Sequence, residues 1–182
     1  QSDAPSTQPS WRNPAADPVR GAVLARVCLA CHGANAPQAD PVAPLLRHQR
    51  QSYLFFALQA YRDGERRSDI MTPFASNLSD ADMRDLAAYL AGDMLDSPPR
   101  ALTDMTAYAR TTADCGWCHG ETGIGEFEGM PVLTGQNPAY LRQALAQYRD
   151  GTRTNATMAA VARGLDPVED PGTNTEPLPQ DP

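Results

Sequence analysis

Apolar residues in the first half of the chain recur at helical spacing, with no strand-like alternation. Asp17-Pro18 reads as an N-cap followed by proline at the first helical position, and Val19–Val27 continues as a helix into Cys28. A second helix is predicted from about Ser52 to Asp63. Leu54, Leu58 and Tyr61 share one of its faces, and Gly64 is a left-handed stop. A third helix is predicted from Ser79, with Asp82 in the capping-box position, to the residue before Gly92; Leu86, Tyr89 and Leu90 form its apolar stripe. The second half predicts similar elements: one helix from near Thr103 through Tyr108 to Cys115, and one from Asn137-Pro138 to Gly151 carrying Leu141, Leu145 and Tyr148.

The likeness between the halves is a repeat at a constant offset. A shift of 87 residues, the distance from Cys28 to Cys115, aligns Cys28–Leu78 with Cys115–Leu165 without a gap. Within it, Tyr53–Ser79 matches Tyr140–Asp166 at 12 of 27 positions, including Tyr-Leu, Tyr-Arg-Asp-Gly, an arginine (Arg66 and Arg153) and a methionine (Met71 and Met158). The register points to a duplicated small domain.

Composition narrows the class. The 182 residues are 41% hydrophobic, enough for one ordinary domain or two small ones, and no run of about 18 apolar residues exists to span a membrane. The net charge of −7 excludes the basic face of a nucleic-acid binder. That charge is one-sided. Residues 1–91 hold nine Arg and nine Asp or Glu, whereas residues 92–182 hold six and thirteen. An acidic half could steer a basic partner, or serve only to keep the protein solvated. Every basic residue is Arg, which suggests a compositional bias and no function.

All four cysteines lie in two Cys-x-x-Cys-His motifs, Cys28-Leu29-Ala30-Cys31-His32 and Cys115-Gly116-Trp117-Cys118-His119. This motif reads as a c-type haem attachment site. Two thiols three residues apart on a helical turn reach the two vinyl groups of one porphyrin, and the adjacent imidazole reaches the iron. Zinc would want paired Cys-x-x-Cys motifs roughly 15–20 residues apart. A thioredoxin-like site would want a βαβ pattern, and a disulfide would not explain the repeated histidine. For the sixth iron ligand, Met71 and Met158 are the only two of six methionines related by the offset, and both lie in polar, loop-like stretches. Met83, Met94 and Met105 suit core or linker positions, and Met130 is a competitor beside the second motif. His48 has Gly135 as its counterpart and reads as a surface or haem-edge residue. Pro44 and Pro131 each follow their histidine by 12 residues. Their carbonyls are candidate acceptors for the second ring nitrogen, though a turn-forming role suits them equally. Arg66, Arg153, Arg62 and Arg149 recur and are preferred over Arg47 and Arg50 as propionate partners, with solvation or helix-end capping as the alternative.

Together, the twin motifs, the Tyr-Leu…Tyr-Arg-Asp-Gly-x-Arg segment, the following methionine and the Ser-Asp-capped helix resemble the dihaem cytochromes c of the cytochrome c4 type, over roughly residues 17–166. The resemblance implies an all-α protein of two tandem class I cytochrome c domains facing each other, with two covalently attached haem c groups, in the bacterial periplasm. It implies His32 with Met71 and His119 with Met158 as iron ligands, and Pro44 and Pro131 as the carbonyls that orient the histidines. The expected divisions are an extension at residues 1–16, domain 1 at 17–94, a linker at 95–100, domain 2 at 101–168 and a tail at 169–182. The expected function is single-electron transfer between redox partners. The alternatives are an electron-transfer subunit fixed to a catalytic dehydrogenase, such as a flavoprotein sulfide dehydrogenase, or a dihaem enzyme with one open iron. One feature departs from the family pattern. The copy of the third helix should start at Asp166, but five prolines in the last 17 residues forbid it. The tail, or a catalytic subunit, is expected to cover domain 2 instead. The chain opens at Gln1 without a leader segment, as expected after export and processing.

Overall fold

A computed structural model describes residues 16–33, 43–92, 113–120, 122–124 and 127–165. The expected extension (beyond its residue 16), linker and tail, the start of the helix near Thr103, and Met94 and Met105 lie outside the described residues. Those residues form eight helices and no strand: α1 (Pro18–Leu24), α2 (Arg26–His32), α3 (Gln51–Arg62), α4 (Met71–Ser76), α5 (Asp80–Ala91), α6 (Ala113–His119), α7 (Pro138–Asp150) and α8 (Ala156–Gly164).

Local chemistry sets the ends of these helices. The Asp17 carboxylate accepts from the N–H groups of Val19 and Arg20 at the start of α1. Ser79 and Asp82 cap α5 reciprocally. Gly64 (φ 79°) and its counterpart Gly151 (φ 83°) turn the chain left-handed after α3 and α7. The single helix expected from Pro18 to Cys28 is divided at Ala25. Ala25 itself keeps helical dihedrals, and Leu29 N–H still donates to its carbonyl at 2.9 Å, so the axis runs on to His32.

In the first domain α1 and α3 pack on α5, around a core of Ala25, Leu54, Phe55, Met83, Leu86, Ala87, Leu90 and Ala91. Met83 is fully buried there, which suits its reading as a core residue. The crossing of α1 and α5 is close because Gly21 faces the α5 backbone. A Cβ on Gly21 would stand 2.0 Å from the Asp85 carbonyl oxygen. The Asp85 side chain then accepts from the Asp17 N–H and from Arg20, which also pairs with Asp82. In the second domain α7 packs on α8.

Several of the contacts between the halves occur in pairs related by the sequence offset. The Gln49 side-chain amide donates to Val132 O (3.0 Å) and accepts from Val132 N–H (2.7 Å). Gln136, its copy, makes the same two bonds with Leu45, the copy of Val132, at 2.9 and 2.8 Å. Arg66 and Arg153 form an isolated antiparallel backbone bridge with each other. These paired contacts are the signature of a two-fold arrangement, although the Gly129 N–H bond to Ser52 Oγ (2.9 Å) has no image, since the copy of Ser52 is Ala139.

Replacing Gly21 with alanine forces a methyl group into the α5 backbone. Overpacking of this kind costs about 1–3 kcal/mol. Gly21→Ala should therefore lower the midpoint of denaturant unfolding of the haem-loaded protein, whereas Gly164→Ala, with open space around it, should not.

Candidate haem centres

Helices α2 and α6 each end on the histidine of a Cys-x-x-Cys-His motif. One helical turn thus carries both thiols and the imidazole. Cys28 and Cys115 are half-buried and Cys31 and Cys118 exposed, and no disulfide joins any of the four. Burial raises the Cys28 thiol above its ordinary value. His32 and His119 are each only 7% exposed, so their rings lie inside the protein. His32 Nδ1 lies 2.8 Å from Pro44 O, and His119 Nδ1 lies 3.2 Å from Pro131 O. A carbonyl oxygen only accepts, so Nδ1 carries the proton and the ring lone pair is on Nε2. Burial also lowers the basicity of His119, outweighing the opposing effect of the Pro131 bond, and favours the neutral ring that a metal requires.

Met71 and Met158 do not sit in loops, as their polar surroundings suggested. Met71 heads α4, and Met158 lies in the first turn of α8. Ser68 Oγ, just ahead of α4, accepts from Met71 N–H (3.0 Å), and Asn155, the N-cap of α8, accepts through Oδ1 from Met158 N–H (2.9 Å). Ser68 and Asn155 are themselves copies at the offset, so one local device places both methionines, which are half-buried. Ile70 and Phe74 flank Met71 as an exposed apolar wall. His48 and Gly135 adopt the same left-handed backbone, φ 62° and 72°; the position demands that conformation, and glycine meets it without strain.

The recurring arginines divide into two kinds. Arg62 pairs with Asp63 and Asp80, and Arg149 donates to Ala162 O, so both are engaged within their own domains. Arg66 and Arg153 are 8% and 7% exposed and lie between the domains. Arg66 stacks on Tyr61 and Arg153 on Tyr148, with guanidinium carbons 4.4 and 4.5 Å from the ring centres. Arg153 donates to Tyr53 OH (2.7 Å) and Arg66 to Tyr140 OH (3.2 Å), each reaching the tyrosine of the opposite domain. Among the described residues no carboxylate pairs with either guanidinium. Such a pair of buried cations is held by π-faces and phenol oxygens, each cation–π contact worth up to about 2 kcal/mol when desolvated. Burial alone would raise the Tyr140 phenol, but Arg66 and Arg153 outweigh it and bring it down to about 8.

This arrangement has close parallels among known proteins. The chain is 35% identical to cytochrome c4 of Pseudomonas aeruginosa over 151 residues, which is 78% of this chain and 75% of that protein. The chain belongs to the cytochrome c4 family. The cytochrome c family model matches residues 18–92. The structure of reduced recombinant cytochrome c4 from Pseudomonas stutzeri superposes with a TM-score of 0.69 at 29% identity, covering 86% of this chain and 94% of that one. A thiosulfate dehydrogenase electron acceptor of Stutzerimonas stutzeri is 32% identical over 78% of this chain and 73% of its own length. As a member of the cytochrome c4 family, the protein is an all-α dihaem electron carrier with covalently attached haem c. The donor set fits that cofactor: each motif offers two thiols on one turn and a buried imidazole of fixed tautomer. No described helix is long and apolar enough to cross a membrane.

Sequence reasoning did not single out Gln49, Gln136, Tyr53 or Tyr140 as interface residues. Their recurrence at the offset was the available signal, because a residue repeated outside a motif and outside the helix core needs a reason.

The Tyr140 phenol has a pH consequence. It is more acidic in the folded protein (about 8) than in the unfolded chain (10.0), so the folded state binds fewer protons between those values. Tyr140 should therefore add stability as pH rises above about 8, a gain lost as pH falls back through 8, while Tyr53, Tyr61 and Tyr148, all raised by burial, oppose it as pH nears 10. Denaturant titrations across this range should show the slope in the parent protein and a flatter profile in Tyr140→Phe.

Proposed function

We propose that the two halves, domain 1 (17–94) and domain 2 (101–168), each hold one haem through matched sets of side chains. Cys28 and Cys31 anchor the first haem, with His32 and Met71 as iron ligands; Cys115 and Cys118 anchor the second, with His119 and Met158. The single observation that carries this reading is the pair of histidine–carbonyl bonds, His32 to Pro44 and His119 to Pro131, at the ends of equivalent helices. A histidine fixed in this way offers one nitrogen in one direction, as metal ligation requires. The cap on each methionine supports the same reading, because it places equivalent thioethers in equivalent first turns. Haem c supplies a one-electron iron couple. The chain would supply the iron ligands, a buried setting for the imidazoles and a fixed relation between the two centres. Arg66 and Arg153, buried without a carboxylate partner among the described residues, are the side chains best placed for haem propionates.

The protein works in the bacterial periplasm as a carrier that accepts electrons from a dehydrogenase and passes them to a second redox protein. The relative named as a thiosulfate dehydrogenase electron acceptor supports that class of donor. It equally supports the second reading, a carrier held tightly to its dehydrogenase. Isolation of the native protein from periplasmic extract decides between them: a free carrier elutes alone, and a subunit brings a catalytic chain with it.

The ligand assignment has a direct test. The reduced parent protein should bind no carbon monoxide. Met71→Ala and Met158→Ala should each admit one carbon monoxide per chain and remove half of the sulfur-to-iron band of the oxidised form. If Met130→Ala opens the second centre and Met158→Ala does not, the assignment in domain 2 fails.

A further inference from the structure

The histidine–carbonyl bonds and the interdomain glutamine bonds are parts of one chain of hydrogen bonds. Pro44 C=O and Leu45 N–H belong to the same peptide unit. Its oxygen accepts from His32 Nδ1 at 2.8 Å, and its N–H donates to Gln136 Oε1 at 2.8 Å. Pro131 C=O and Val132 N–H likewise form one peptide unit. Its oxygen accepts from His119 Nδ1 at 3.2 Å, and its N–H donates to Gln49 Oε1 at 2.7 Å. Each amide oxygen is held by a second bond. Gln49 Oε1 also accepts from Arg50 N–H (3.0 Å), and Gln136 Oε1 from Asn137 N–H (2.9 Å). Gln49 is 5% exposed and Val132 4% exposed, so water does not compete at that link.

We infer that Gln49 and Gln136 are positioning residues for the iron centre of the opposite domain: each polarises the peptide that orients the other domain's histidine and so tunes that centre's reduction potential. A peptide that donates through its N–H becomes a stronger acceptor at its oxygen, since hydrogen bonds in series polarise one another. The stronger acceptor draws the Nδ1 proton and makes the imidazole a more electron-rich ligand. An electron-rich ligand stabilises the oxidised iron and lowers the potential. The two centres are thus tied by protein bonds that cross the interface in both directions. The geometry also explains why Gln49 and Gln136 recur at the offset: in an arrangement of two-fold type, one glutamine in the repeat serves both centres. The inference rests on His32 and His119 being the iron ligands, as proposed above.

The test uses the complete haem-loaded protein and reads the potential of each centre separately. Gln49→Leu roughly keeps side-chain volume and removes the amide's three bonds, two to Val132 and one to Arg50. It should raise the potential of the centre in domain 2 and leave domain 1 unchanged, and Gln136→Leu should do the reverse. The expected size is on the order of tenfold in the partition of an electron between the centres, about 59 mV for a one-electron couple. Loosening of the interface alone would move both centres in each variant. Equal shifts, a shift confined to the altered domain, or no shift overturns the inference. In the unaltered reduced protein, a scalar coupling across the Val132 N–H···Gln49 bond should be measurable by nuclear magnetic resonance. Absence of that coupling together with its Leu45–Gln136 equivalent also overturns it. His119→Ala separates the two readings. If it leaves the second centre low-spin, the ligand assignment itself is wrong; if it abolishes that centre while glutamine changes fail to cross, only the relay is wrong.

Discussion

The constraint on which the structure depends is the bond between a buried histidine and a backbone carbonyl twelve residues further on. An imidazole with both nitrogens uncommitted can rotate and exchange tautomers. Tying Nδ1 to a carbonyl removes that freedom and leaves one lone pair in one place. Pro44 and Pro131 are thereby held against the rings, and the next residue of each, Leu45 or Val132, bonds to the other domain.

The interface is built on this requirement. Gln49 and Gln136 grip the backbone at the peptide following each proline, and Arg66 and Arg153 fill the contact further along. Burying two guanidiniums side by side is costly, several kcal/mol per ion without compensation. Four tyrosines, Tyr53, Tyr61, Tyr140 and Tyr148, offset that cost with ring faces and hydroxyl oxygens. The polar contact gives directionality that an apolar contact of the same area would not. Each bond has one donor and one acceptor at fixed places, so the halves have one register. An electron carrier with two centres needs that register, since transfer between them depends on a fixed separation.

Much of the site was legible in the chain because its chemistry is local. Cys28, Cys31 and His32 share a helical turn, so spacing alone places them. Pro44 and Pro131 were legible as candidates through their common distance from the histidines, although only the coordinates distinguish a carbonyl acceptor from a turn. The surroundings of Met71 and Met158 read as loops but are helical. Their stretches are polar and short, and the side-chain bonds from Ser68 and Asn155 at the start of each helix act against a weak local propensity. The division between α1 and α2 was not legible either, since nothing in Val19–Val27 marks Ala25.

By itself the sequence determined the longer helices, the repeat, the haem motifs and the family. These follow from periodicity, capping residues and fixed spacings, which act over one or two turns of chain. Only the tertiary structure decided which repeated residues work within a domain and which work between domains. Arg62 and Arg66 are equally repeated, yet one pairs with Asp80 on its own helix bundle and the other is buried against the opposite half. Gln49 and Val132 are 83 residues apart and show no mutual pattern in the chain. Their bond exists because the two copies dock face to face, and docking is set by shape and polar complementarity over surfaces that the linear order does not contain.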